Sequence, residues 1–422
     1  MIEQVLSPWV GIGRSLRHRN YRLFFCGQSV SLIGTWLTRV ATSWLVYRLT
    51  HSALMLGLVN FAGLIPTFLL APVAGVLVDR WNKHRVLVVT QVCAAVQSAG
   101  LAWFTLSGSI TVHQILVLSI CQGFINAFDM PARQSFVVQM IEDRRDLPNA
   151  IALNSSMVTM ARLVGPSFAG ILIATVGEGG CFTIDAVSYL AVIATLLMMS
   201  VAPQAKKLVA HKRIFHELKE GIQYVSDSKA MVGVLCLLAL VSFMGVPYLT
   251  LLPMIVTTQL KGDARILGYL TAASGLGALM GALFLASRKS VLGLGRITMA
   301  SAFTFGVGLI LVGLSRSLWF ALPMMLISGM GMMVQMASSN TILQTIVDED
   351  KRGRIMSLFL MAYAGMAPFG SLFGGFLADR IGAGATLEWG GVACCIGALV
   401  FLRALPEIGR SIAIPKFSPK SL

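Results

Sequence analysis

The chain has 422 residues, 56% of them apolar and only 12% charged, against roughly 25% charged in an ordinary soluble domain. So thin a polar coat excludes a soluble globule of 45.3 kDa, and 41 glycines and 14 prolines scattered without clustering exclude collagen-like or low-complexity sequence. What remains is a polytopic membrane protein, in which 33 Lys+Arg against 18 Asp+Glu, +15 overall, points to basic cytoplasmic loops rather than to nucleic acid.

The opening MIEQVLSPWVGIGRSLRHRNYR lacks the short apolar core and small-residue site of a cleavable signal peptide. A helix crossing the ~30 Å hydrocarbon layer needs about 20 mainly apolar residues. On that length the sequence predicts spans at 22–48, 53–78, 86–107, 112–139, 149–176 and 181–202. Six more follow at 230–259, 266–287, 294–314, 318–346, 354–379 and 386–404. The expected fold is all-α, with twelve transmembrane helices in two six-helix halves, 1–202 and 230–422, around a central cavity. Between the halves, 203–229 reads as a cytoplasmic linker, and apolar residues at 214, 215, 218, 222 and 225 suit an amphipathic helix on the membrane surface. With both termini inside, 25 of the 33 basic residues face the cytoplasm, which fixes the expected orientation.

Ionisable residues inside a span are costly and mark function. In span 4, Gln122, Asn126, Asp129 and Arg133 share one helix face; in span 1, Gln28, Ser31, Thr35 and Arg39 do so, and in span 5, Ser155, Thr159 and Arg162. Three such stripes suggest a water-accessible interior in the first half, although polar packing between helices produces the same pattern. Spans 7–12 hold no charged residue in their interiors. There Gln335, Ser338 and Ser339 form a neutral patch, and nine of the 22 methionines fall between Met324 and Met366. Methionine suits a promiscuous apolar wall and equally an ordinary packing gap. Seven cysteines without CxxC spacing and six histidines without metal-ligand spacing predict no disulfide framework, metal or cofactor. Gly165, Gly170 and Gly177 recur 205 residues later as Gly370, Gly375 and Gly382, a repeat that suggests the two-half plan of transporters.

The segment GVLVDRWNKHR, with Gly75, Asp79, Arg80, Lys83 and Arg85, resembles the loop signature between spans 2 and 3 of the major facilitator superfamily, with Asn82 in place of a usual glycine. RLVGPSFAG, with Gly165, Pro166 and Gly170, resembles the span-5 signature of its antiporters. LRHRNYRLFFCGQSVSLIGTW, DMPARQSFVVQM, LPNAIALNSSM and GGFLADRIG are together similar to the bacterial branch of enterobactin-type siderophore exporters and macrolide efflux proteins. The arginine of the drug-antiporter R-x-x-Q-G pattern is absent, since Ser119 stands at its place before Gln122-Gly123.

The resemblance implies a secondary active transporter of the bacterial inner membrane, working by alternating access as a monomer. Its expected partners are a small molecule, the bilayer and protons. Asp79 and Lys83 are expected to form a cytoplasmic latch with Asp129 and Arg133, flanked by Gly75, Arg80 and Arg85. Asp129 is the first candidate proton carrier and Asp185 the second. The polar residues of spans 1, 4, 5 and 10 line the expected cavity, where Arg39 and Arg162 favour neutral or anionic amphipathic cargo over lipophilic cations. A lysophospholipid flippase or importer is the alternative within the class. No Walker motif, nucleophile–base pair or metal cluster supports an enzyme, and a channel has no need of two matched halves with a latch.

Overall fold

The computed structural model describes residues 13–200, 214–288 and 290–413, so the linker over 203–213, with Lys206, Lys207, Lys212 and Arg213, lies outside the described residues. Every regular element described is helical, as it must be where a peptide group in hydrocarbon can bond only to its own segment. In chain order they are α1 (Arg19–Thr50), α2 (Ala53–Arg80), α3 (Lys83–Leu106), α4 (Val112–Met140) and α5 (Leu147–Leu197). Then come α6 (Ile214–Ser226), α7 (Lys229–Leu240), α8 (Tyr248–Thr258), α9 (Ala264–Ala286), α10 (Leu294–Leu314) and α11 (Leu318–Ile346). The last four are α12 (Arg352–Leu360), α13 (Met366–Ile381), α14 (Ala383–Phe401) and α15 (Leu405–Ala413).

Ten helical stretches among the described residues are long and apolar enough to cross a membrane. Helix α1 is outside that set because its polar stripe lowers its hydropathy, and one stretch, 144–197, is long enough to cross twice. That stretch breaks at Gly177, whose φ of 74° is open to glycine and strained for other residues. Gly382, its counterpart in the repeat, has φ of 87° between α13 and α14. The third glycine of the repeat therefore makes the same backbone turn in both places. Large apolar side chains point outward, Trp319 at 83% and Trp103 at 71% exposed among them, the reverse of a soluble surface and as a lipid-facing one requires.

The chain separates into two compact units, Met1–Thr50 with Ala62–Ala210 and His51–Phe61 with His211–Leu422. In the first, α1 and α3 pack along α5, and α4 packs on α3. An apolar cluster of Tyr21, Phe24, Leu87, Phe136, Val137, Met140 and Leu196 ties these helices together at one end, where the Tyr21 hydroxyl donates to the Ala150 carbonyl (2.8 Å). In the loop before α5, the Arg145 guanidinium and backbone N–H beside Asp143 hold its carboxyl down at about 2. In the second unit α11 packs on α9 and α10, and α14 on α10. The predicted spans 7 and 11 each contain one π-helical turn, Val241–Gly245 and Met361–Gly365, and the Ser242 hydroxyl donates to the Tyr363 carbonyl across them. Helix α6, the described part of the linker, is clipped to α12 by Glu220–Arg354 (2.5 Å) and to the α11–α12 loop by the Tyr224 hydroxyl donating to Asp348 (2.8 Å).

The hexapeptide G-x-L-x-D-R occurs at Gly75–Arg80 and again, 300 residues on, at Gly375–Arg380. Its second aspartate caps the first turn of α2: Asp379 accepts from the Ala53 N–H (2.6 Å) and from the Ser52 hydroxyl (2.7 Å), a carboxylate on the positive end of a helix. Asn60, two turns along, donates to Ser371 (2.7 Å) and Thr250 (3.2 Å). Asp79, by contrast, is half exposed, and its ion-pair partner among the described residues is Lys83 at 3.7 Å. Asp379→Ala should therefore cost about 1 kcal/mol, the usual value of a lost helix cap, and lower the thermal unfolding midpoint in detergent. Asp79→Ala, at the same place in the motif, should leave that midpoint unchanged. Equal midpoints for the two variants would contradict the capping role.

Candidate functional site

The residues expected to act as one latch stand as two separate i,i+4 pairs. Lys83 meets Asp79 outside the apolar part of α2, and Arg133 meets Asp129 on α4. Among the described residues no hydrogen bond or ion pair joins one pair to the other. Asn82 caps α3 by accepting from the Arg85 N–H (3.1 Å), Arg85 and Arg80 are exposed, and Gly75 faces open space.

Asp129 is 3% exposed and fully engaged. Besides Arg133 it accepts from the Thr90 hydroxyl (3.0 Å) and the Gln91 amide (2.8 Å), both on α3. With a guanidinium from its own helix and two donors from α3 on it, this buried carboxylate joins α3 to α4.

Asp185 is 1% exposed and differently placed. It lies on the second arm of α5 and takes hydroxyls from two other helices: Thr38 on α1 (2.7 Å) and Ser98 on α3 (2.8 Å), both on Oδ2. No Lys, Arg or His among the described residues lies within ion-pair distance of it. The two candidate carriers thus have opposite environments, one paired with a cation and one surrounded only by neutral groups.

Arg39 and Arg162 come together over one ring. The guanidinium carbon of Arg39 lies 4.9 Å from the centre of the Trp36 indole and that of Arg162 lies 5.8 Å from it, both within cation–π range. Neither guanidinium makes an ion pair among the described residues. Local packing explains the arrangement: Gly165, one turn beyond Arg162, has no side chain and so lets the Trp36 Cβ press against α5. Gly370, its repeat partner, admits the backbone of Phe243 in the same way. The glycine of the antiporter-type signature seats the ring on which both arginines lie. Pro166 and Gly170 are buried beside it.

The remaining stripe residues mostly satisfy themselves. Gln122 donates to Asn126 (3.1 Å) on the same helix, while Ser155 and Thr159 donate to the Ile151 and Ser155 carbonyls. Gln28 is buried, and Thr35 bonds to the Ser31 carbonyl and to the Tyr189 hydroxyl (3.3 Å). In the second unit, Ser338 accepts from Thr298 (2.8 Å) between α10 and α11, and Gln335 reaches Ser339 (3.4 Å). All three are at most 1% exposed, so the patch packs helices. Trp36, Thr38, Thr90, Gln91 and Ser98 escaped the reading of spacings because each belongs to its site only through a neighbouring helix.

Residues 11–419 match the model of a family described as transmembrane secretion effectors. The chain is 26% identical over 383 residues to a staphyloferrin A transporter of Staphylococcus aureus, covering 90% of this chain and 95% of that one. It is 22% identical to macrolide efflux protein A of Streptococcus pyogenes, covering 87% and 92%. In fold it is similar to a bacterial homologue of the human lysosomal transporter Spinster, with a TM-score of 0.73, 14% identity, and 94% and 99% of the two chains covered.

The Asp129–Arg133 geometry generates a stability test. Removing the acid alone, as Asp129→Ala, leaves a partly buried guanidinium without its counter-ion and should cost about 3 kcal/mol or more. The double change Asp129→Leu with Arg133→Met should recover most of that loss. Thermal unfolding of the purified variants decides: equal destabilisation by the single and double changes would show that the loss comes from the bonds of Asp129 to α3 and not from an orphaned guanidinium.

Proposed function

Because the chain belongs to the transmembrane secretion effector family of the major facilitator superfamily, and is therefore a transporter rather than an enzyme, we propose that it is a secondary active exporter of small amphipathic compounds with a neutral or anionic polar end. It works by alternating access, as a monomer in the bacterial inner membrane, with twelve crossings and both termini in the cytoplasm. The two arms of α5 and the polar α1 bring the ten apolar stretches to that number. The names of its relatives, a staphyloferrin A transporter and a macrolide efflux protein, support siderophore-like or drug-like cargo.

The observation that carries the cargo reading is the pair of guanidiniums on Trp36. Two cations on membrane helices with no acid between them repel each other and need a counter-charge. A cargo carboxylate, phosphate or catecholate supplies one, and arginine binds such groups through two parallel N–H donors. Lipophilic cations gain nothing there. The methionines of α11 and of the π turn after α12 suit the apolar body, Met361 being 41% exposed while Met325 and Met332 are given over to packing. Movement of the cargo is coupled to inward proton flow, and the lack of any other charge on its partners leaves Asp185, ahead of the ion-paired Asp129, as the carrier this reading favours.

Transport of matched anionic and cationic amphiphiles into inverted vesicles tests the proposal. Wild type should prefer the anions. Arg39→Gln or Arg162→Gln should weaken anion transport by roughly 10- to 100-fold, the range of a lost charge-assisted hydrogen bond, and leave neutral members of the panel near wild type. Preference for cations, or an equal loss for every compound, would overturn the assignment.

A further inference from the structure

Asp185 sits in a shell built for something the chain itself does not provide. Its Oδ2 is saturated by the Thr38 and Ser98 hydroxyls. Its Oδ1 is fully buried and has no hydrogen-bond partner. Against Oδ1 lies Gly34 of α1, where even a methyl group would collide with both Oδ1 and the Ser188 hydroxyl. One turn back on the same face of α1, the Ser31 hydroxyl is 1% exposed and also without a partner. Ser98 additionally reaches Gln97 Oε1 (3.3 Å), and Ser188 is tied to the Asp185 carbonyl (2.7 Å).

The charges on the elements packed against Asp185 do not compensate it. On α1, Arg39 lies over Trp36 and Arg48 is taken by Glu178 (2.9 Å). On α3, the stretch from Val86 to Leu106 has no Asp, Glu, Lys or Arg. On α5 itself the adjacent titratable group is Tyr189, whose hydroxyl is engaged with Thr35. A carboxylate left ionised there would carry an uncompensated buried charge. One positive charge balances it, and the hydrogen-bond partners of the carboxylate are hydroxyl oxygens.

We propose that Asp185, with the hydroxyls of Thr38 and Ser98, is a site for one monovalent cation, either a proton bound on Oδ1 or a sodium ion held by the oxygens. The site binds in the first unit alone, and it stands apart from the Arg39–Trp36–Arg162 stack. Its use as the coupling site rests on the exporter reading above; its existence does not.

The test therefore uses no cargo. The purified full-length protein in lipid nanodiscs is followed by infrared difference spectroscopy while pH is lowered through the physiological range, and separately by equilibrium binding of radioactive sodium. For a proton site, a protonated-carboxyl C=O band grows in as pH falls and is absent in Asp185→Asn. Ser98→Ala should raise the frequency of that band, because the hydroxyl donates to the oxygen that remains the carbonyl. For a sodium site, one ion binds per chain, and both variants lose it or bind it more weakly. A carboxyl band that persists unchanged at every pH without sodium binding would mean a permanently neutral structural acid. No band and no sodium would mean a permanently charged one. Either result overturns the proposal while leaving the cargo assignment to its own panel; conversely, cation-preferring cargo would leave this site standing.

Discussion

Inside a hydrocarbon layer a polar group has only the protein to bond to, and most of what distinguishes one helix from another here is where those bonds go. Backbone groups close within each helix. Hydroxyls of Ser29, Ser43, Thr50, Ser155, Thr159 and Thr175 fold back onto carbonyls one turn earlier and so need no neighbour. A carboxylate, which has no proton to donate, cannot do this. Asp129 and Asp185 therefore recruit α3, and Asp185 also α1, and the first unit is organised around these two acids as much as around its apolar cluster. The two π turns are the same rule seen in the backbone: a carbonyl freed from its own ladder at Tyr363 is taken up by Ser242.

The helices were legible because membrane thickness fixes their length. Predicted spans 9 and 10 end at the residues where α10 and α11 end, and the others differ by a few residues, as helix ends do. The four-residue spacing of Asp129 and Arg133 on one helix is legible too, and the loop signature between α2 and α3 points to Asp79 with Lys83. What joins helices was not. The loop signature and the family resemblance group Asp79, Lys83, Asp129 and Arg133 into one latch, whereas in the structure Asp129 also accepts from Thr90 and Gln91 on α3. A threonine or serine on a membrane helix bonds its own backbone so often that Thr38 and Ser98 gave no sign of facing an acid. Trp36 belongs to no polar stripe of α1, and its place is set by Gly165 on another helix, against which its Cβ packs.

The internal repeat shows which parts of the design tolerate no change and which do. Gly165 with Gly370 and Gly177 with Gly382 perform the same backbone tasks in both units, close approach to the first helix of the half and a turn open only to glycine. The aspartates of the repeated G-x-L-x-D-R do not: Asp379 is committed to the first turn of α2, while Asp79 is half exposed. A carboxylate at a helix N-terminus is useful wherever one is presented, so one sequence element yields a cap or an exposed ion pair according to what the surrounding fold brings to it.

That asymmetry extends to the interior. Between Lys229 and Phe401 the charged residues of the described helices stand near helix ends, Glu388 in the second turn of α14 among them, and the polar groups of α11 are consumed in packing against α10. The first unit places Arg39, Asp129, Arg162 and Asp185 deeper within its spans. A group whose charge must appear and vanish during a cycle cannot also be the group that holds helices together, because each change of charge would then cost the fold several kcal/mol. Asp129 is paired with Arg133, whereas the partners of Asp185 are hydroxyls able to donate or accept with equal ease, so a change of charge at Asp185 would break no ion pair within the unit.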